Sequence, residues 1–204
     1  MDSCARKLKT GFTCGDVVEM WDALWRGEGK VRQLIFVNQA WCKYHIAMKL
    51  PDGFTIRRAS EEEIDILVAH RRSMFLDMGY SADAAMDSMA EKCKPWLLDK
   101  MKSEEYLAWL AVDAKGTIAA GAGLWLMDWL PHLIGKSQRR GNIVNVYTEQ
   151  KFRRRGLARC LMDTAVNWCR ENGIDTVILH SSDEGRPLYE SMGFAQTNEM
   201  RLRM

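Results

Sequence analysis

The chain has 204 residues, of which 47% are hydrophobic and 27% charged, a balance typical of a soluble globular protein rather than a disordered one. Its 29 Lys and Arg against 27 Asp and Glu leave a formal charge of +2, so the total charge demands neither nucleic acid nor an anionic membrane as partner. The most apolar run, 117–133, is interrupted by Asp128, which excludes a membrane span there. No apolar stretch follows the N-terminal charges and the six cysteines form no CxxC pair, so we expect a cytoplasmic protein with reduced thiols.

The first quarter of the chain differs from the remainder. Residues 1–47 contain half of the cysteines and show only weak periodicity. Met48 and the residues after it have the pattern of a translation start followed by a strand. We therefore expect 1–47 to be an N-terminal extension from an upstream start or of non-native origin, and 48–204 to be the domain. A native N-terminal cap is the alternative.

Two helices are predicted early in this domain. Ser60 and Glu63 have the spacing of a capping box, and apolar residues recur at helical intervals after them, which predicts a helix over 61–78. A second helix is predicted from Ser81 to Met101, kinked or divided by Pro95.

Strands and helices then alternate along the chain. The segments predicted as strands are 54–58, 106–112, 117–129, 142–148, 176–180 and 197–203. Two further helices are predicted over 156–172, with Gly173 as its C-terminal cap, and over 187–192. The order β-α-α-β-β-β-α-β-α-β predicts a mixed α/β or α+β fold, with a mixed sheet and helices on both faces.

The turn between the strand 142–148 and the next helix has the chemistry of an anion site. The first N–H groups of a helix have no internal partner and lie at the positive end of its dipole. Gly156 lets the backbone approach a phosphate, and Arg153 and its two neighbours add positive charge. Neither a Walker loop nor a G-x-G-x-x-G fingerprint is present. The motif R-x-x-G-x-A alone is short, and an exposed basic turn explains it equally well.

A second motif makes the pattern more specific. Residues 188–194 read L-Y-E-S-M-G-F, and a helix and a strand separate them from the basic turn. Together the two motifs make 54–204 resemble the GCN5-related N-acetyltransferase (GNAT) superfamily. The resemblance implies a mixed sheet of about six to seven strands with acetyl-CoA in a central cleft, no metal, and acyl transfer to an amine.

The resemblance also implies residue roles. The backbone of the strand end would bind the pantetheine arm: Val146, Tyr147 and Thr148. The turn amides would hold the pyrophosphate: Arg153, Arg154, Arg155, Gly156, Leu157 and Ala158. Ser182 stands where the family often has an Asn that contacts pantetheine. Tyr189 would be the general acid that protonates the departing thiolate, because a phenol keeps its proton at neutral pH. Packing alone is the other interpretation of Tyr189.

The general base is left open, since Asn142 stands where some members have a glutamate. Candidates are Glu149, Asp128 and His180, each of which is also explained as a surface or hydrogen-bonded residue. A base acting through water, or an amine that arrives deprotonated, is equally allowed.

The acceptor pocket is expected between the first two helices and the loop after the third strand. Trp125, Trp129 and His132, with Asp128, would form a wall suited to a cationic or aromatic amine, although core packing explains them as well. The acceptor is expected to be a small molecule or a peptide. Dimerisation is common in such folds, and no membrane partner is expected.

Two rival functions follow from the same residues. The basic residues of 136–159 would suit a nucleic-acid-binding module: Lys136, Arg139, Arg140, Lys151, Arg153, Arg154, Arg155 and Arg159. We expect nucleic acid less, because the other charges are balanced and a cofactor with several phosphates explains this cluster. The second rival is a regulator that binds CoA without catalysis.

Overall fold

The computed structural model describes residues 49–204 except 132, 134 and 203, so the expectations for residues 1–47 and for His132 lie outside the described residues. The strands are β1 (Phe54–Arg58), β2 (Tyr106–Asp113), β3 (Ile118–Asp128), β4 (Arg139–Thr148) and β5 (Val177–Leu179). The helices are α1 (Ile64–Asp77), α2 (Ala84–Lys102), α3 (Leu157–Glu171) and α4 (Arg186–Ser191). Short 3-10 turns, Glu61–Glu63 and Gln150–Phe152, precede α1 and follow β4.

The five strands form one mixed sheet in the order β1-β2-β3-β4-β5. The first four pair antiparallel, and β5 runs parallel to β4 after the crossover through α3. Residues two apart on a strand share a face, and β2 shows both faces buried. Tyr106, Ala108 and Leu110 pack with residues of α1 and α2, whereas Leu107 and Trp109 pack with residues of α3. The predicted mixed sheet with helices on both faces is therefore confirmed.

The strand count is corrected to five within the described residues. The segment 197–203 alternates like a strand, but its described residues form no regular element, and Met200 and Leu202 are 95% and 86% exposed. Alternation shows that one face is apolar and does not supply a neighbouring strand to pair with. The apolar run 176–180 predicts a buried strand, but β5 is half-buried along its length.

The helices follow local signals with two differences. Ser60 and Glu63 form the predicted capping box, and the Arg57 guanidinium lowers the pKa of the Glu63 carboxyl through a hydrogen bond. α2 begins after Asp83, whose Oδ1 accepts the N–H groups of Ala85 and Met86 at 3.0 and 3.1 Å. Pro95 was predicted to kink or divide this helix, and division is wrong, because one helix runs through Pro95. In the described part of the chain, no helix has the length and apolar character needed to cross a bilayer.

Candidate active site

The pairing of β4 with β5 ends partway along β4, and the gap beyond that point is called the cleft. They pair only over Gly141–Ile143 and Val177–Leu179, whereas β4 continues to Thr148. From Val144 onward, β5 therefore provides no backbone partner for β4. An extended ligand could pair with such a strand edge through main-chain hydrogen bonds.

A bulge distorts β4 where the cleft begins. The register against β3 shifts between Gly121 and Gly123, and Asn145 has φ of 55°. The Asn145 side chain donates to the Tyr106 hydroxyl at 3.0 Å and accepts from Arg71 Nη1 at 2.6 Å. A Cβ at Gly123 would lie 1.9 Å from the Tyr106 hydroxyl oxygen, so this buried tyrosine requires glycine opposite it. Burial raises the pKa of Tyr106 to about 12, and the phenol remains protonated.

The turn after β4 is held by the side chain of Arg153. Its Nε donates to the Thr148 carbonyl at 3.0 Å, and its Nη2 pairs with Asp77 at the end of α1. Arg153 therefore fixes the turn. In contrast, Arg154, with φ of 61°, has no hydrogen-bond or ion-pair partner among the described residues. Arg155 donates only to the Lys151 carbonyl, at 3.5 Å, and forms no ion pair with a described residue. The charges of Arg154 and Arg155 therefore remain available to a ligand, whereas that of Arg153 is paired with Asp77.

No side chain of the described residues caps the N-terminus of α3. Gly156 precedes the helix with φ of 80° and supplies no side-chain cap. The first helical backbone bond runs from Cys160 N to Gly156 O at 3.1 Å. The N–H groups of Leu157 and Ala158 thus have no backbone acceptor in the described chain, and the 15-residue helix adds the positive end of its dipole. This arrangement suits an anion such as a phosphate.

Tyr189 lies on the short helix α4. Arg159 ties α4 to α3 by donating to the Ser191 hydroxyl at 2.7 Å. The Tyr189 ring covers Gly185, where a Cβ would lie 2.9 Å from Cε2. Its hydroxyl has no hydrogen-bond partner within the described residues, and burial raises the pKa of Tyr189. Ser182 accepts the Gly185 N–H at 3.2 Å, so its hydroxyl is already engaged in the turn before α4.

The three candidate bases occupy different places. Asp128 pairs in register with Arg139, which lies six residues before Asn145, or about 20 Å along the strand. His180 directly follows β5 where the two strands separate, and its Nε2 lies 3.3 Å from Glu199 Oε1. Glu149 follows the end of β4, where its backbone N–H donates to the Ala119 carbonyl at 2.9 Å. Asp128 is therefore remote from the bulge, whereas His180 stands at the mouth of the cleft.

His70, which the sequence analysis did not select, is buried beside Glu149. Its Nε2 lies 3.7 Å from Glu149 Oε1, and its ring packs at 5.2 Å from the Tyr147 ring. Burial lowers the pKa of His70 to about 4, so the imidazole is neutral at pH 7 and this contact is not an ion pair. His70 Nδ1 is buried without a hydrogen-bond partner and would be 2.9 Å from a Cβ at Gly121.

Among the expected acceptor residues that the structure describes, Trp125 and Asp128 lie on opposite faces of the sheet. Trp125 packs against Trp96 at 5.2 Å on the α1/α2 face of the sheet. By strand alternation Asp128 belongs to the other face. Trp129 follows β3 and carries the guanidinium of Arg140 at 3.8 Å from its ring. The sequence did not indicate Trp96, because the residue pattern of its helix contains no functional motif. It did not indicate Asn145 either, because a bulge has no local sequence signal.

The basic residues also separate into two groups. Arg139 and Arg140 begin the ten-residue β4, and Arg153, Arg154 and Arg155 follow its end, about 30 Å away. Arg139 lies 3.4 Å from Asp128. The residues that are neighbours in sequence thus form no continuous basic surface along β4. Within residues 49–204 as described, no group of three or more His, Cys, Asp or Glu is placed to hold a metal ion.

Comparisons with known proteins agree with this geometry. The profile of the Acetyltransferase (GNAT) family matches residues 75–194. A GCN5-related N-acetyltransferase from Ralstonia eutropha JMP134 is 31% identical, with a TM-score of 0.71 over 74% of this chain and 99% of that one. A predicted acetyltransferase with acetyl-CoA from Clostridium acetobutylicum is 28% identical, with a TM-score of 0.69 over 74% and 96%.

A more distant structure shows how widely the fold extends. Glucosamine-6-phosphate N-acetyltransferase from Arabidopsis thaliana is 16% identical with a TM-score of 0.53, over 74% of this chain and 97% of that one, which shows the fold alone. The family profile covers more than half of the chain, and it spans both the turn before α3 and the helix that carries Tyr189. This chain therefore belongs to the acetyltransferase (GNAT) family and is an acyltransferase.

Proposed function

We propose that the protein transfers an acetyl group from acetyl-CoA to a primary amine, by direct attack of the amine in a ternary complex. The observation that carries the proposal is the unpaired edge of β4, Val144–Thr148, which leads directly into the uncapped N-terminus of α3. Such an edge suits the amide groups of pantetheine, and such a helix end suits a pyrophosphate. The similar Clostridium acetobutylicum protein contains acetyl-CoA, which supports the same donor here.

The residues would divide the work of binding. Backbone groups of Val146 to Thr148 would bind pantetheine, and the amides of Gly156 to Ala158 would bind the pyrophosphate. Arg154 would add charge to the phosphates, because its guanidinium has no partner in the described chain. Arg153 would position the turn through Thr148 and Asp77 rather than contact the phosphates. Acetyl-CoA supplies the activated thioester.

Tyr189 would act as general acid toward the departing thiolate. Its buried environment raises the phenol pKa, so the proton is present at neutral pH, and its hydroxyl has no competing partner among the described side chains. Protonation in the transition state contributes about 10²–10⁴ to rate where it operates. The ring is held against Gly185 and packs edge-on to Phe194, with ring centroids 6.2 Å apart, which restricts its rotation.

We propose His180 as the base among the three candidates. It stands where the strands separate, next to the position expected for the thioester, and Glu199 lies within 3.3 Å to orient its ring. Deprotonation of the attacking amine by water, or in solution before binding, is the alternative outcome.

Thermal shift and thiol release test the function together. Acetyl-CoA and CoA should raise the melting temperature of the wild type with mass-action dependence, and an amine panel should release free thiol. Tyr189→Phe should keep the CoA-induced shift and lose about a hundredfold in kcat. Ser191→Ala is a matched control on the same helix, because it alters the α4–α3 tie without removing the phenol.

The same measurements separate the rival functions. A CoA-induced shift without thiol release from any amine would favour the inactive regulator. Salt-sensitive binding to DNA or RNA without a CoA-induced shift would favour the nucleic-acid module. The separation of the basic residues along β4 argues against that module.

A further inference from the structure

Arg71 is a half-buried cation on α1 that no carboxylate of the described residues balances. It forms no ion pair with any described side chain, whereas the next residue, Arg72, pairs with Asp87. Lys94 and Lys100, on the neighbouring helix α2, also pair with carboxylates. Since burying part of a guanidinium without a counter-ion costs free energy, the half-buried position of Arg71 calls for an anionic partner that the described residues do not supply.

The position of Arg71 is set by the bulge of β4. Its Nη1 donates to Asn145 Oδ1 at 2.6 Å, and Asn145 in turn donates to the buried hydroxyl of Tyr106. The guanidinium carbon lies 5.0 Å from the centroid of the Phe75 ring. One neutral amide is thus its hydrogen-bond acceptor within the described chain. The remaining N–H donors form a fork that suits an oxyanion.

An aromatic surface lies on the same face of the sheet. Trp96 packs edge-on against both Tyr106 and Trp125, with ring centroids 6.1 and 5.2 Å apart. Trp96 is 39% exposed and Trp125 is half-buried. Asn145, which accepts from Arg71, also bonds to Tyr106, against which Trp96 packs. A molecule bound to Arg71 would therefore lie on the side of the sheet that carries these rings.

We propose that the acceptor amine also carries an oxyanion, a carboxylate or a phosphate, which Arg71 binds beside the Trp96–Trp125 surface. An amino acid with an apolar side chain has this chemistry. This inference rests on the proposed acetyl transfer and names its substrate class. It replaces the expected acidic wall, because Asp128 is remote from the bulge and the charge found there is positive.

The test compares the binding and turnover of paired ligands that differ in one charged group. With CoA-saturated protein, the N-acetyl derivatives of phenylalanine, leucine and tryptophan are titrated against their carboxamides by calorimetry. Turnover of the free amino acids is measured against their amides, and O-phosphoethanolamine is measured against ethanolamine. The charged member should be favoured about tenfold to a hundredfold, the range expected for hydrogen bonds to a charged group. The arm with the greater preference identifies the oxyanion.

Variants assign the preference to Arg71. Arg71→Gln should reduce it to within about threefold, Arg71→Lys should keep part of it, and Arg72→Gln, the matched control one residue away, should leave it unchanged. The CoA-induced thermal shift of each variant shows that it folds and binds the donor. Equal binding of the two members, no binding of either, or a preference that survives Arg71→Gln would overturn the inference while acetyl transfer stands. Absence of any CoA-induced shift in the wild type would instead overturn the proposed function.

Discussion

The two ends of β4 carry similar residues and use them differently. At the first end, Arg139 lies beside Asp128 and Arg140 stacks on Trp129, so these side chains satisfy one another on an exposed hairpin. At the other end, Arg153 bonds to the Thr148 carbonyl and pairs with Asp77. There the charged side chain holds the backbone of the cleft in shape.

The two ends of β4 differ in the backbone groups that surround their arginines. The number of arginines is similar at both ends. Backbone groups that have no partner among the described residues occur at the second end, where β5 has separated and α3 begins without a side-chain cap. At the first end, the arginine side chains contact neighbouring side chains. At the second end, they lie near backbone donors and acceptors that no described residue satisfies. The second end therefore has the properties of a ligand site.

Protonation of His70 should cause the largest effect on stability at the cleft end. The folded pKa is about 4 and that of an unfolded histidine is about 6.5, so the unfolded state binds more protons between these values. The free energy of unfolding should fall by about 3 kcal/mol from this residue as pH drops from 7 to 4. Urea titrations of wild type and His70→Gln across that range measure it, and parallel pH profiles would contradict the assignment.

Substitution of the proposed base, His180, should lower activity, whereas substitution of Asp128 at the hairpin end should not. His180→Gln should lower kcat about a hundredfold at neutral pH, whereas Asp128→Asn at the hairpin end should change it less than about twofold. Steady-state thiol release over pH 6 to 9 measures both. A loss confined to Glu149→Gln would move the base to the end of β4. A loss of activity with Asp128→Asn would contradict the inference that the hairpin end of β4 takes no part in catalysis.

Substitution of single arginines should sharpen the contrast between binding and positioning. Arg154→Gln should raise the KM for acetyl-CoA about threefold to tenfold without changing the melting temperature, since one charge-assisted contact is lost. Arg153→Gln should lower the melting temperature, because its contacts with Thr148 and Asp77 hold the turn. Arg140→Gln, at the other end, serves as control. An unchanged KM for Arg154→Gln would show that the phosphates bind elsewhere.

The smallest expected effect is a difference in pairwise coupling. A double-mutant cycle of Asp77→Asn with Arg153→Gln should give a coupling of about 1 kcal/mol, as this pair is partly shielded. The same cycle on Asp128 and Arg139 should show no measurable coupling, because Asp128 is 92% exposed. Denaturant unfolding measures both. Equal couplings would remove the distinction between the two ends.

Much of the fold was predictable because its signals are local. The capping box of Ser60 and Glu63, the helical face of α3 and the hairpin between β2 and β3 all appear in the structure. The strand predicted over 197–203 failed because a strand also depends on a neighbour that its own sequence does not specify. The start of β4 was placed three residues too late, at Asn142, since Arg139 and Arg140 were interpreted as loop residues.

The site was predictable only in part, for the same reason. Gly156 and Tyr189 belong to short motifs and could be selected in the sequence. The roles proposed for them still await the experiments above. His70 and Arg71 could not be selected, because nothing in a helix identifies which of its residues face a cleft. Asp128 and Trp125, three residues apart in sequence, were grouped although strand alternation places them on opposite faces.

The family resemblance, the order of most elements and the turn before α3 could be predicted from the amino-acid sequence, because they depend on residues close together along the chain. The bulge at Asn145, the partners of Arg71 and Arg153, and the burial of His70 depend on the packing of distant segments. Asn145 meets Arg71 across 74 residues and Tyr106 across 39, and Arg153 meets Asp77 across 76. Such contacts depend on strand register and helix packing, which are set only when distant segments bury their apolar faces together.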